Sequence, residues 1–341
     1  MIARRKHGWI GIDFGTKVVK VAQLERAGEA LRWRRAVIPR SPAAGGLACT
    51  GQELRQALEA HGGFQGRVAA CTLPMSATEL RAIAVPPGSE AERRAMIAQE
   101  LEAAAVVNEP REFDFWQAGA SNGAEQDGVQ VLSVATAKVS ELTDSLAVAG
   151  LECAVLDCVP CTLARAVALS SAHPVEGPLA AIDWGHDNAT LSIVEGGRAQ
   201  FTRPLRDCGA GGLFQEVCRT LGLDETEAIE LLTRFGLPAA AEAPLEEQEI
   251  REVVVDIVGA HVQRMVDELT RTFAFFRLQR QSLLPRRACL FGAGATVKNV
   301  AAFVAAKLET PCEVWRLAAA DDSWCGHLAR LGESRRDAYT T

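Results

Sequence analysis

Apolar residues recur along the chain in two patterns, short alternating or β-branched runs and longer runs with helical spacing. The short runs predict strands and the longer ones predict helices. In the first half, strands are predicted at 9–12, 18–24, 31–38, 67–73, 78–85, 112–117, 129–136 and 153–156. Helices are predicted at 51–61, at 89–106 behind a capping-box spacing, and at 139–149.

The second half continues the same alternation. Its predicted strands are 179–183, 190–195, 199–205, 288–291 and 312–315. Its predicted helices are 212–221, 225–235, 245–281 and 297–308, and Gly259 is a candidate break in the third of these. Strands alternating with helices over the whole length predict an α/β protein.

A repeat divides the chain into halves. The sequence Ile12–Gly15, isoleucine-aspartate-phenylalanine-glycine, recurs with tryptophan in the aromatic position at Ile182–Gly185. Each copy ends a predicted buried strand and leads through a polar turn into two further strands. One copy alone is typical of an ordinary turn, but two copies in the same context, half a chain apart, indicate an internal duplication.

The repeated turn has the chemistry of a phosphate-binding loop. A glycine turn after a strand exposes backbone N–H groups to phosphate oxygens, and Gly15 and Gly185 allow close approach. Asp13 and Asp183 are candidate Mg²⁺ ligands through water, because Mg²⁺ keeps several of its waters. A third glycine turn, Gly292–Gly294, follows a strand and is a candidate contact for ribose or adenine, although an ordinary strand-to-helix turn is the favoured interpretation of this short motif.

The order of these pieces resembles the actin-like ATPase superfamily and, within it, the PilM family of type IV pilus assembly, which is related to FtsA. The resemblance runs from about residue 9 to about residue 315. It is carried by the segments Gly11–Lys17, Arg67–Val68, Leu73–Pro74, Ile83–Pro86, Glu112–Gln117, Ala149–Leu151, Val155–Asp157, Ile182–Gly185, Arg203–Leu205, Gly211–Leu213, Leu290–Ala295 and Pro311–Val314.

The resemblance implies an actin-like ATPase (ribonuclease H-like) α/β fold, with two duplicated lobes and a small inserted α+β subdomain. The first lobe is expected over 1–66 and 137–177, the partner-binding insertion over 67–136, the second lobe over 178–318 and a tail over 319–341. ATP is expected between the lobes, with Mg²⁺. The expected partner is the cytoplasmic tail of a PilN-like inner-membrane protein, and self-association is left open.

The residues implied to bind nucleotide are Asp13, Gly15, Thr16, Lys17, Asp183, Gly185, His186, Gly211, Gly212, Gly292, Ala293 and Gly294. Asp13 and Asp183 are also the implied metal residues, through water. The candidate partner-binding residues are Phe113, Phe115 and Trp116, although core packing is the alternative for all three. No catalytic residue is assigned.

Several positions depart from the family pattern. Val159 precedes Pro160 where relatives often carry an acidic residue, so weak or absent hydrolysis is expected. No lysine follows Ala228 where an adenine-side lysine is common, and Ala293 replaces a frequent glycine. The tail also lacks a closing apolar helix. Alternatives are a sugar- or acetate-type kinase of the same superfamily, an FtsA-like filament former, or the cytoplasmic part of a type II secretion protein.

Composition narrows the list of partners and the location. A net charge of −7 argues against nucleic acid as the main partner. No run approaches the about 20 apolar residues that span a bilayer, which predicts a cytoplasmic protein that reaches a membrane only through its partner. Of ten cysteines, Cys158 and Cys161 form a C-x-x-C pair, for which an accidental spacing is the favoured interpretation over a metal or redox role.

Overall fold

The computed structural model describes residues 6–27, 30–40, 50–104, 109–117, 127–170, 176–237 and 248–316. Within these ranges the chain forms thirteen strands and eight helices. It divides into two compact units, and the chain passes from one to the other between Thr162 and Leu163. The predicted tail, 319–341, lies outside the described residues.

The first unit contains two sheets and their helices. Its elements are β1 (Lys6–Phe14), β2 (Val18–Ala27), β3 (Ala30–Pro39), α1 (Gly51–His61), β4 (Val68–Leu73), β5 (Glu79–Val85), α2 (Glu90–Ala103), β6 (Arg111–Gln117), β7 (Asp127–Ala135), α3 (Thr136–Val148) and β8 (Glu152–Cys158). Helix α4 (Val159–Ser170) starts in the first unit and continues in the second. The larger sheet has the described strand order β3-β2-β1-β4-β8, antiparallel among the first three strands and parallel from β1 to β8.

Alternation along β1 places its apolar side chains on one face of this sheet. Ile10, Ile12 and Phe14 are buried there, together with Leu54 of α1 and Leu146 of α3. Helix α1 starts where the sequence predicts because Thr50 and Glu53 form a reciprocal capping box.

The small sheet is antiparallel, in the described order β5-β7-β6, and α2 packs on it through the buried Ile97. Strand β4 does not belong to this sheet, since it pairs with β1 and β8. The boundary predicted at residue 67 is therefore too early, and the inserted sheet begins with β5. An isolated apolar strand carries no signal that distinguishes pairing with β1 from pairing with its chain neighbour.

The second unit repeats the larger sheet. Its elements are β9 (Leu179–Trp184), β10 (Ala189–Glu195), β11 (Arg198–Leu205), α5 (Ala210–Leu221), α6 (Glu225–Arg234), α7 (Gln248–Gln279), β12 (Arg287–Phe291), α8 (Val300–Leu308) and β13 (Cys312–Val314). The described strand order is β11-β10-β9-β12-β13, again antiparallel up to β9 and parallel from β9 onwards.

The two sheets thus share strand order and direction, as the predicted duplication requires. Two helices differ from expectation. Helix α4 was not predicted, and α7 continues through Gly259 without a break. The α7 face with buried Val258, Met265 and Phe276 packs into the core of its unit, which offsets the cost of one helical glycine. None of the helices in the described ranges combines the length and apolarity that crossing a bilayer requires.

Candidate functional site

The first candidate loop follows β1, and its carboxylate is Asp13. Asp13 faces Lys20 across the hairpin, and Lys20 Nζ donates a hydrogen bond to Asp13 Oδ2 at 2.9 Å. Both side chains are about half exposed, at 46% and 54%, so solvent screens this ion pair. The pair can therefore rearrange at little cost when a hydrated cation or an anion arrives. Lys17, one of the candidate nucleotide-binding residues, is exposed in the turn itself.

Arg40, which sequence analysis did not single out, holds this turn from one side. Its Nη1 donates to the carbonyl oxygens of Gly15 at 3.2 Å and Thr16 at 3.3 Å, and its backbone N–H donates to Lys17. A β-carbon on Gly15 would lie 2.7 Å from the Val18 carbonyl oxygen, so the turn closes only with glycine. The guanidinium adds positive charge beside the turn, which favours an anionic ligand.

The second candidate loop, between β9 and β10, has the same construction. Asp183 faces Thr190, the register that Asp13 has in the first hairpin. A β-carbon on Gly185 would lie 2.9 Å from the carbonyl oxygen three residues further on, as at Gly15. The two predicted loops therefore agree in register, turn length and glycine requirement, each within its own unit.

Helix α5 fastens the second loop. The N–H groups of Ala210 and Gly211 donate to the carbonyl oxygens of Gly185 and His186 at 2.9 and 2.7 Å. The His186 ring, whose Nδ1 contacts the Asp187 carboxylate, covers the place where a Gly211 β-carbon would lie. The Gly211 amide is thus engaged within the protein. The geometry supports a role for Gly211 in seating the loop on the helix rather than in touching phosphate.

Gly212 is exposed and lies beside a histidine that the sequence did not indicate. A β-carbon on Gly212 would lie 3.5 Å from His261 Cε1. Arg264 Nη2 lies 2.8 Å from His261 Nδ1, and because arginine only donates, Nδ1 accepts. His261 Nε2 then donates to the Glu216 carboxylate at 2.7 Å, and this hydrogen bond holds the pKa of Glu216 below its usual value.

The third glycine turn lies against the second loop. Gly292 has φ 85°, and a β-carbon there would lie 2.7 Å from Asp183 Oδ1. Ala293 begins a short 3-10 turn, as predicted for this segment, and the helix predicted from residue 297 starts at Val300. Gly292 and Ala293 are exposed, whereas Gly294 is buried against the Trp184 indole. The structure therefore gives Gly294 a packing role in the turn.

The two aspartates suit the hydrated Mg²⁺ that the fold family implies. Asp13 and Asp183 are both partly exposed at strand ends. In the described part of the chain, neither belongs to a cluster of three ligand side chains. Mg²⁺ keeps several of its waters and binds phosphate oxygens, so one carboxylate in each loop is a sufficient protein contribution. The Gly292 backbone also lies close to the Asp183 side chain, so this carboxylate is beside the third glycine turn.

The structure shows where two of the departures from the family pattern lie. Ala228 and Leu232 on α6 are both buried in the core of the second unit, so this face carries apolar packing. Val159 and Pro160 form the start of α4. The preceding acid, Asp157, accepts the Cys158 N–H through Oδ1 at 2.8 Å.

The candidate partner-binding aromatics lie on β6, with side chains on both faces of the small sheet. Phe113 and Phe115 are partly buried against the cluster that contains Ile97. The guanidinium of Arg94 lies 5.3 and 5.5 Å from the centres of the two rings. Trp116 points to the opposite face by strand alternation and is half-buried. Packing therefore accounts for the two phenylalanines, and Trp116 remains the candidate for contact with a partner.

The register of the two loops and the duplicated sheets can be compared with known proteins. A family model for the type IV pilus assembly protein PilM matches residues 11–320. The chain belongs to the PilM family. This match includes all of the candidate nucleotide residues and the β6 aromatics. No curated protein sequence matches the chain.

Solved structures support the same architecture. The PilM-PilN type IV pilus biogenesis complex is 21% identical, covers 92% of this chain and 89% of that chain, and has a TM-score of 0.72. The ethanolamine utilization protein EutJ from Carboxydothermus hydrogenoformans is 14% identical over 94% and 88%, with a TM-score of 0.51. MreB5 of Spiroplasma citri bound to ADP is 11% identical over 99% of both chains, also at 0.51. These likenesses confirm the predicted actin-like fold.

Proposed function

We propose that this protein is an actin-like, nucleotide-binding scaffold of type IV pilus assembly. The observation that carries the proposal is the repeated hairpin, with an aspartate at the same register in each unit of a PilM-family chain. Glycine turns at strand ends suit phosphate oxygens, and the paired loops suit a nucleotide with several phosphates.

The loops have separate roles in this proposal. Gly15, Thr16 and Lys17 bind phosphate in the first unit, and Gly185 and His186 bind phosphate in the second. Asp13 and Asp183 hold Mg²⁺ through water, and the cation, when bound, neutralises phosphate charge. The exposed residues of the third turn, Gly292 and Ala293, contact the sugar or base. Gly211 holds the second loop on α5, and Gly294 packs the third turn against Trp184, so neither contacts the nucleotide in this proposal.

Hydrolysis is weak or absent in this proposal. Val159 stands before Pro160 at the start of α4, where an acid that positions the attacking water is the expectation from the resemblance. The Asp157 carboxylate is already engaged by the Cys158 N–H. Nucleotide would then act as a ligand that stabilises one state of the scaffold rather than as a substrate.

The proposed partner is the cytoplasmic tail of a PilN-like inner-membrane protein, which holds the scaffold at the cytoplasmic face of that membrane. A PilM-PilN complex is known among solved structures of this fold. In the described small sheet, β6 is an edge strand, and an edge can accept an extended peptide through backbone hydrogen bonds. Trp116 on β6 supplies a large apolar surface beside that edge.

Calorimetric titration with Mg-ATP tests the nucleotide part. Wild-type protein is compared with Asp13→Ala, Asp183→Ala and the control Asp144→Ala, which removes an exposed carboxylate from α3. Binding that both loop variants lose and the control keeps supports the site. Unaltered binding in both loop variants, or no binding in the wild type, refutes it. Phosphate release above that of Asp13→Ala would refute weak hydrolysis while leaving binding intact.

A further inference from the structure

The start of α4 holds a cluster of ligand side chains that the nucleotide site does not use. A carboxylate oxygen of Asp157 and the sulfurs of Cys158 and Cys161 all lie within 4.8 Å of one another. In the described ranges these three form the one such group of metal-ligating side chains. Exposed acids often cluster by chance, but here two members are thiols and Cys158 is only 1% exposed.

Local sequence explains why the three groups meet. Strand β8 ends at Cys158 and α4 begins with the next residue, so Cys161 lies one helical turn further on and on the same side. The Asp157 carboxylate bends back to accept the Cys158 N–H at 2.8 Å. Thr162 Oγ1 donates to the Cys158 carbonyl at 3.2 Å, which fixes the first turn of the helix.

The environment of the sulfurs favours thiolate, the form that binds metal. A helix N-terminus stabilises negative charge through its N–H groups. Cys161 and Asp157 are both half-buried, so the cluster is reachable from one side.

We propose that Asp157, Cys158 and Cys161 bind one thiophilic divalent cation of the Zn²⁺ class. Two thiolates and a carboxylate are a borderline-soft donor set, and three protein ligands leave a fourth position for water or an exogenous ligand. Ligand atoms in a tetrahedral zinc-thiolate site lie about 3.8 Å apart, given Zn–S of about 2.3 Å. The observed spacing of at most 4.8 Å therefore needs a contraction of about 1 Å or less.

The location gives the ion a structural consequence. It would tie the end of β8 to the first turn of α4, the helix in which the chain leaves the first unit. Occupancy would stiffen this passage independently of nucleotide.

The test is a Co²⁺ titration of the full chain, reduced with a phosphine and freed of metal with a chelator. Tetrahedral Co²⁺ bound to thiolate gives intense d–d bands and a sulfur-to-cobalt charge-transfer band. We expect saturation at one ion per chain and loss of the spectrum when Zn²⁺ is added. Cys158→Ser and Cys161→Ser should abolish the charge-transfer band, and Asp157→Asn should weaken binding by at least about tenfold.

A second thiol pair supplies the matched control. Cys71 on β4 and Cys153 on β8 are hydrogen-bonded to each other, and that bond together with burial raises the pKa of Cys71. Among the described residues this pair has no third ligand group, so Cys153→Ser should keep the cobalt spectrum. Because Cys158 is buried, the half-buried Cys161 is the decisive position, with folding checked by circular dichroism.

Three outcomes would overturn the proposal. They are no cobalt spectrum in the reduced wild type, a full spectrum in a folded Cys161→Ser protein, and loss of the spectrum in Cys153→Ser. In the first of these cases, formation of a Cys158–Cys161 disulfide by a mild oxidant would identify the two cysteines as a redox pair.

Discussion

The backbone of Gly294 lies directly on the indole of Trp184. A β-carbon at Gly294 would come within 2.1 Å of Trp184 Cδ2, a distance that no side chain can tolerate. Trp184 is 1% exposed, so the ring has no free volume into which to retreat. Trp184, the aromatic residue of the second loop motif, therefore packs directly against the third glycine turn. The two turns are in contact through this one side chain.

Gly294→Ala is expected to destabilise the second unit, because the added methyl group must displace a packed indole. Overpacking of this kind costs about 1–3 kcal/mol. Urea unfolding followed by circular dichroism measures the loss. Gly259→Ala is the control, since no atom lies within 4 Å of its β-carbon position in α7 and a helical alanine is favoured over glycine. Equal stability of Gly294→Ala and wild type would contradict the packing argument.

Arg40→Ala is expected to weaken Mg-ATP binding by about tenfold, which corresponds to about 1.4 kcal/mol. The reason is that its guanidinium donates to the Gly15 and Thr16 carbonyl oxygens and so orders the first loop. Calorimetry measures the affinity. Arg35→Ala, which removes an exposed arginine from β3, the strand that Arg40 follows, should bind as the wild type does. Equal losses in both variants would point to a general charge effect instead of loop order.

The duplication was predictable because it rests on local sequence: each Asp-aromatic-Gly turn carries its own strand pattern. The role of Arg40 was not, since it depends on β3 returning beside the first turn. The packing role of Trp184 was not predictable for the same reason. Its partner, Gly294, is more than a hundred residues away in the chain. Assignment of β4 failed because parallel pairing joins strands that are distant in sequence.

Helix α4 shows a different limit of sequence reasoning. Pro160 and the Cys158–Cys161 spacing mark the start of this segment in the sequence, but the apolar run that follows them is not among the predicted helices. Proline is tolerated in the first helical turn, where N–H groups have no helical partner. The C-x-x-C pair therefore lies across a helix start, which places both sulfurs on one side.

Truncation of the β6 aromatics should separate packing from recognition. Phe115→Ala is expected to lower stability by about 2 kcal/mol, because its ring packs partly buried against the cluster that contains Ile97. Trp116→Ala should leave the protein folded and weaken binding of a peptide copied from the cytoplasmic tail of a PilN-like protein. Urea unfolding and fluorescence anisotropy measure the two effects. Full peptide affinity in a folded Trp116→Ala protein would remove this residue from the proposed docking surface.

The cap of α2 should make the small subdomain sensitive to acid. Glu92 accepts hydrogen bonds from the Ser89 hydroxyl and backbone N–H, and these lower its pKa from the ordinary value of 4.5. A carboxylate whose pKa is lowered by folding stabilises the fold above its unfolded pKa. That contribution is lost as the pH falls below 4.5 and through the folded pKa. Acidification therefore weakens the carboxylate half of the cap, while the Glu92 N–H can still donate to the Ser89 hydroxyl.

An NMR titration of the Glu92 carboxyl group measures this directly, with Ser89→Ala as the comparison. Removing the hydroxyl deletes the strongest of the contacts that lower the pKa, so the Glu92 midpoint should rise towards its ordinary value. Ser76→Ala, an exposed serine outside any α-helix cap, should leave the midpoint where it is in the wild type. The same midpoint in Ser89→Ala and wild type would mean that the cap does not control this carboxylate. Acid sensitivity of the subdomain would then need another cause.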